Sequence, residues 1–426
     1  MKANSTLLGL LATSTSILDN VNLFGSRATT STIPTTVTPA PFGYTAGSPE
    51  SVANLKDKIK HVIWVLLENR SFDNILGAVK RPGFDNPANN GDVCNPSGKI
   101  TATNQGFIEK QLIYFSSITP DLAASQVMGY YSEQEIPTLL DICDDFTTFN
   151  YWFSCIPGPT NPNRACALSG TSDGHGSNDN NFNIANISVN SIFETASSKN
   201  ISWLNYDGTN GAFAPDALFY PWTAANAKSN VVPIENFFQD AYLGTLPQLS
   251  YLNPSCCDKN TNSMHPSGNV SFGQVFVKQI YDAVRQGPHW SDTLLLVTYD
   301  ESGGFHDHVP SPLAVPPDNK TYTETAHDGE VYTFHFDRLG GRMPTWLISS
   351  YTPKGHLESM GTNPATGAVE AYSATSVLKT LGLLWDFEDF TPRVSNSPSF
   401  DHLIGPTMRQ DAPLILTPPL PFPNDT

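Results

Sequence analysis

Three short stretches of this chain carry oxygen-rich side chains in patterns suited to cation and anion chemistry. Glu68-Asn69-Arg70-Ser71-Phe72-Asp73-Asn74 sets a carboxylate beside an amide oxygen. Such a pair can hold a hard divalent cation. Taken alone, a polar turn capped by Ser71 or Asp73 is the stronger reading. Tyr299-Asp300-Glu301-Ser302-Gly303-Gly304-Phe305-His306-Asp307-His308 places two carboxylates next to each other. Adjacent carboxylates repel unless a cation lies between them, and two glycines let the backbone turn closely around a site. The His306-Asp307-His308 run is metal-like in composition, but a loop that orients the site is the simpler account of its histidines. Gly158-Pro159-Thr160-Asn161-Pro162-Asn163-Arg164 puts a proline just inside a helix start. Thr160 then lies at a helix N-terminus, where backbone amides favour an anion. A hydroxyl there can serve as a nucleophile if a metal activates it, although taken alone an ordinary Thr cap is the stronger reading. His265-Pro266 is a weaker signal, since a lone histidine is usually structural or solvated. Its position before a helix that leads into the Asp300 strand allows it to face the same site.

These residues need strands to carry them. His61-Val62-Ile63-Trp64-Val65-Leu66-Leu67 is nearly continuous apolar sequence and ends at Glu68. Leu294 to Tyr299 is a second such run, ending at Asp300, and Thr345 to Ser349 is a third. Runs of this kind suit parallel strands buried on both faces, whose carboxyl ends are where ligands bind. Between them, Val275, Phe276, Ile280, Ala283 and Val284 recur at helical spacing. Ser373 to Leu384 is another helix, with Ser373 or Thr375 as its cap.

With 426 residues the chain can bury a large core, and the strand pattern favours one large α/β domain. Residues 1–55 are rich in Ser, Thr, Pro and Ala and read as a targeting segment plus a largely disordered linker. The main domain spans 56–410, with order beginning near Lys58, and 411–426 is an extended Pro-rich tail. The net charge of −17, from 23 Lys+Arg against 40 Asp+Glu, repels phosphate backbones. It argues against nucleic-acid partners and against electrostatic attachment to anionic lipid. No stretch is long enough to span a bilayer. Sequons beginning at Asn186, Asn200, Asn269, Asn319 and Asn424 point to a secreted glycoprotein. So does a weak signal-like run, Leu7 to Leu11, after Lys2. Cys94, Cys143, Cys155, Cys166, Cys256 and Cys257 form no zinc-type Cys-x-x-Cys pair, and their pairing is not legible.

The four motifs, in this order, resemble the phosphoesterase family of bacterial and plant non-specific phospholipases C and related acid phosphatases. The resemblance runs from about Lys58 to about Leu384. It includes Ser169-Gly170-Thr171-Ser172 after the Thr160 block and Phe336-Asp337-Arg338-Leu339-Gly340 before the third strand. The overall pattern, Ser302 included, is similar to fungal members. The resemblance implies an alkaline-phosphatase-like α/β fold with a mostly parallel central sheet flanked by helices. It implies metal-dependent hydrolysis of a phospholipid head group or a phosphomonoester. Glu68, Asn69, Asp300 and Glu301 would ligate one divalent metal ion, whose identity stays open, with oxygen ligands leaning toward harder ions. Thr160 matches the nucleophile and His265 a phosphoryl-contacting histidine. Arg164 would steady the phosphate or pair with a carboxylate.

One departure stands out. The family usually carries an Asp-Pro-x-His segment between the first block and the nucleophile block. Here Cys94-Asn95-Pro96-Ser97-Gly98-Lys99 runs on toward Gln105-Gly106-Phe107, and no histidine occurs between His61 and His175. The alternative expectation is therefore a degenerate member that binds metal and phosphate ligands with little turnover.

Overall fold

The structure, a computed structural model, describes residues 33–90, 127–266, 268–325 and 329–420. Cys94 and the stretch to Phe107, the signal-like run and Asn424 lie outside the described residues.

The apolar runs become the centre of an eight-stranded sheet. Its strands are β1 (His61–Leu67), β2 (Thr147–Phe149), β3 (Trp203–Asp207), β4 (Val231–Pro233), β5 (Leu249–Asn253), β6 (Thr293–Tyr299), β7 (Thr345–Ile348) and β8 (His356–Glu358). The spatial order is β8-β2-β7-β6-β1-β5-β3-β4. β1 lies between β5 and β6 and is parallel to both, with Leu67 opposite Tyr299. Val62 to Leu67 and all of β6 are buried, as strands covered by helices on both faces must be. The expected α/β class, a mostly parallel central sheet flanked by helices, is what the structure shows.

The third apolar run behaves differently. β7 is antiparallel to both β6 and β2. Ile348 pairs with Leu295, and Ser349 Oγ donates to the Thr293 carbonyl at 2.8 Å. The carboxyl end of β7 therefore lies at the sheet edge away from Asp300 and contributes no ligand there. An apolar run reports burial on both faces and carries no information about strand direction.

Five helices matter for the site. They are α1 (Pro49–Lys58), α2 (Phe72–Leu76), α3 (Thr160–Ser169), α4 (Val270–Gln286) and α5 (Ala374–Trp385). α4 buries Phe276, Val277, Ile280 and Val284, while Val275 is 39% exposed and falls outside the buried face. Ser373 is the N-cap of α5, as expected, and Thr375 lies inside the helix. The described fold begins before Lys58. Ser48 caps α1 by accepting from the Ser51 N–H, and Asn54 Nδ2 donates to the Ile404 carbonyl at 2.7 Å. Those bonds tie residues of the expected linker to the main domain. The tail has no helix or strand from Asp411 to Leu420, but Ala412 and Leu416 are buried. No helix among the described residues is long and apolar enough to cross a membrane.

Candidate active site

β1 and β6 end side by side, so Glu68-Asn69 and Asp300-Glu301 meet at one edge of the sheet. Backbone bonds lock the two turns together. The Asp300 N–H donates to the Leu67 carbonyl at 3.0 Å and the Arg70 N–H to the Glu301 carbonyl at 3.1 Å. The Asn69 N–H donates to Asp300 Oδ1 at 3.0 Å. Gly303, at φ +65°, passes so close that a Cβ would sit 2.1 Å from the Asn69 carbonyl oxygen. Glycine is required there both by the left-handed backbone and by the approach.

Thr160 is the first residue of α3 and follows Pro159, with Pro162 inside the first turn. Its hydroxyl donates to Glu68 Oε2 at 3.4 Å. A disulfide between Cys155 and Cys166 crosslinks the approach to Thr160 onto α3. His265 is reached from β5 through a loop whose Ser263 carbonyl accepts the Glu68 N–H at 2.8 Å. Burial pushes the His265 imidazole below its ordinary pKa, and the nearby Asp300 charge opposes this.

Arg164 lies one turn into α3 and is buried with its partners. Its guanidinium donates to Glu68 Oε1 at 2.8 Å, Asp216 Oδ2 at 2.9 Å and Asp300 Oδ2 at 3.1 Å, and also to the Leu66 carbonyl. Of the two roles expected for Arg164, this geometry supports pairing with carboxylates. Asp216 was not legible in the sequence, because no motif surrounds it. Tyr251 OH at 2.6 Å and Asn253 Nδ2 at 2.8 Å also donate to it.

The remaining donors decide whether a cation fits. Asn69, at φ +55°, has a buried Oδ1 with no hydrogen-bond partner among the described residues. An orphaned buried acceptor costs about 1–3 kcal/mol, which a cation would offset. Burial, then the Asp300 charge, raises the Glu68 carboxyl well above the usual range despite Arg164. The same two causes push Glu301 up to about 8. A bound cation would reverse both shifts, so this oxygen set fits a hard divalent metal. The three carboxylates do not, however, converge as one tight cluster. Glu301 Oε2 accepts the Gly303 N–H at 2.9 Å, and Asp300 Oδ1 accepts the Glu301 N–H at 2.7 Å.

Three groups of donors among the described residues do close within 4.8 Å: His61 with His289 and Asp292, Glu68 with Cys256 and Cys257, and Asp73 with Asp307 and His308. The first lies where β1 and β6 begin, at the opposite edge of the sheet. The third is already compensated. His308 Nδ1 faces Asp73 at 2.7 Å and its Nε2 faces Asp85 at 2.9 Å. Arg342 pairs with Asp73 at 3.0 Å and Asp307 at 2.9 Å. Ser71 caps α2 by accepting from the Asn74 N–H, which leaves Asp73 for this network. The His306-Asp307-His308 run thus orients the carboxylate loop, with Ser71 Oγ donating to the His306 carbonyl at 2.7 Å. A cavity of about 670 Å³ lined by Thr171, Asp318, Lys320 and Phe390 contains none of the candidate site residues.

His308 supplies a pH prediction. Burial lowers its affinity for a proton, but hydrogen bonds to Asp73 and Asp85 outweigh this and raise it from 6.5 to about 9. A group held above its unfolded pKa contributes stability that is complete below that pKa and is lost as pH rises through the folded one. Unfolding free energy is therefore expected to fall by on the order of 2 kcal/mol between pH 7 and 9, after allowance for solvent screening. Glu301 titrates in the same direction in this window. The comparison that isolates His308 is urea denaturation of wild type and His308→Gln at both pH values. The variant's decline should be clearly shallower, and equal declines would refute the assignment.

Comparison with known proteins shows the family of the chain. The Phosphoesterase family profile matches residues 59–388. Non-specific phospholipase C6 of Arabidopsis thaliana is 31% identical over 411 residues, spanning 84% of this chain and 75% of that protein. A non-hemolytic phospholipase C of Burkholderia pseudomallei is 24% identical over 377 residues, spanning 70% and 52% of the two chains. Among solved structures, an alkaline phosphatase superfamily protein from Vibrio parahaemolyticus aligns over 84% of this chain and 79% of its own at 10% identity, with a TM-score of 0.37. With the family profile covering most of its length, the chain belongs to the Phosphoesterase family, hydrolases that act on phosphate ester bonds.

Proposed function

We propose that this chain is a secreted phosphoesterase that hydrolyses phospholipid head groups or phosphomonoesters through Thr160. The observation that carries this reading is the Thr160 hydroxyl at a helix N-terminus, 3.4 Å from a buried strand-end carboxylate. Glu68, Asn69, Asp300 and Glu301 would hold one divalent metal. When bound, it would lower the pKa of the nearby hydroxyl and share the phosphoryl charge.

The chain's own residues account for the rest. The first-turn amides of α3 and its dipole favour the phosphoryl anion. Thr160 Oγ1 gives up its proton to solvent and forms a bond to phosphorus as the ester oxygen leaves, and the departing alcohol takes a proton from His265. Burial favours the neutral form of His265, and a phosphoryl anion beside it would favour the protonated one. Water then cleaves the phosphothreonine, with neutral His265 accepting its proton and Thr160 Oγ1 leaving to take back a proton from solvent. Arg164 holds Glu68 and Asp300 in register rather than touching substrate.

The names of the relatives favour a phospholipid substrate. Two disulfides, and the exposed sequon residues Asn186, Asn200 and Asn319, support secretion. The test is hydrolysis of p-nitrophenyl phosphate and phosphatidylcholine with and without a chelator. Turnover is expected to drop at least about 100-fold on chelation and to return with a divalent cation. Turnover indifferent to chelation would remove the metal from the reading. Metal uptake with no turnover on either ester would favour the degenerate member that the missing Asp-Pro-x-His segment raises.

A further inference from the structure

The proposed hydrolysis makes no use of the two adjacent cysteines beside Glu68. Cys256 and Cys257 follow β5 and are joined to each other by a disulfide. Their sulfurs and a Glu68 carboxylate oxygen all lie within 4.8 Å of one another. The position of the pair does not depend on the disulfide alone. Asn262 Oδ1 accepts from both the Ser255 N–H and its hydroxyl at 2.8 Å, and the Asn262 N–H donates back to Ser255 Oγ at 3.1 Å. These bonds close the base of the cysteine loop. Just beyond it, the Ser263 carbonyl takes the Glu68 N–H. The loop is thus pinned to Glu68 by groups that contain no sulfur. Cys257 sits at φ +146°, a conformation that L residues rarely adopt.

We propose that reduction of Cys256–Cys257 converts this corner into a soft-metal site. Two thiolates and the Glu68 carboxylate would take a thiophilic divalent cation of the zinc or cadmium kind. Reduction by a phosphine breaks the sulfur–sulfur bond. The phosphine gains the oxygen of one water to become its oxide, and the two hydrogens of that water end on the two sulfurs. Metal binding then releases both thiol protons to solvent. Bonds of about 2.3 Å to sulfur and 2.0–2.2 Å to oxygen, in tetrahedral geometry, place donors about 3.5–3.8 Å apart. The three donors already lie within 4.8 Å of one another, and reduction frees the two sulfurs to separate. Thiolates select soft metals, whereas the Asn69, Asp300 and Glu301 oxygens select hard ones. Because Glu68 serves both sets, loading the soft site withdraws a ligand from the hydrolytic one.

The test reads metal binding rather than catalysis, so its outcome is independent of the phosphate ester reading. The folded full chain is reduced with a phosphine and desalted, and alkylation with peptide mapping verifies that Cys256 and Cys257 are open. Cadmium ion is then titrated while the ultraviolet thiolate-to-cadmium charge-transfer band is recorded. Reduced wild type should show one cadmium per chain beyond a Cys256→Ser/Cys257→Ser double variant treated identically, and unreduced protein should show no such excess. Glu68→Gln should weaken that binding by about 10-fold or more. A reduced wild type no better than the double variant would place any band on other cysteines and overturn the site. Failure of the pair to open in folded protein, or unchanged affinity in Glu68→Gln, would overturn it as well.

Discussion

Thr160→Ala is expected to lower hydrolysis of phosphate esters by at least about a thousandfold while leaving the unfolding free energy within about 1 kcal/mol of wild type. The first half follows from position. Thr160 is the first residue of α3, and its removal takes away the hydroxyl that contacts Glu68. The second half follows from how little the hydroxyl holds. Its contact with Glu68 is long, at 3.4 Å, and the N-cap of α3 is Pro159 rather than Thr160. Thr160→Ser keeps the nucleophilic atom and should retain most of the activity. Steady-state rates on both esters measure the loss. Acid quenching during turnover should also leave phosphate on the peptide containing Thr160. A Thr160→Ala protein within tenfold of wild type, or a phosphate-free Thr160 peptide, would transfer the nucleophile elsewhere.

The second large effect is expected at Arg164, and it concerns stability first. In metal-free protein, Arg164→Met should cost about 3–5 kcal/mol of unfolding free energy, because it strands buried carboxylates without a counter-charge. Side-chain exposure is 4% for Arg164, 6% for Glu68, 5% for Asp216 and 0% for Asp300, so solvent cannot replace the lost partner. Arg164→Lys should be intermediate, since one ammonium lacks the fork that reaches three carboxylates at once. A divalent cation should restore part of the loss in Arg164→Met, because it supplies positive charge to Glu68 and Asp300. Urea denaturation with and without added cation measures both effects. If Arg164→Met lies within 1 kcal/mol of wild type, the clamp is not what holds the site together. If added cation fails to narrow the gap, Glu68 and Asp300 do not share a metal.

Much of the site was legible in the sequence for a local reason. An apolar run that stops at a carboxylate describes one strand and its end, and both runs that lead to Glu68 and Asp300 fold as read. Thr160 at a helix start followed from Pro162, which restricts the backbone locally. Tertiary structure alone decided the rest, because those features depend on which distant segments become neighbours. Arg164 meets Asp300 across 136 positions, and Arg342 meets Asp73 across 269. Neither separation leaves a periodic or spaced signal. Asp216 was invisible for the same reason, and so was the approach of Cys256 and Cys257 to Glu68. The reversed direction of β7 was also beyond the sequence, since burial on two faces gives the same apolar run whichever way a strand points. Sequence by itself therefore determined the types of donor and the ends of the strands that carry them. Only the packing of those strands decided which charges are paired, which buried acceptor is left without a partner, and which sulfurs stand beside Glu68.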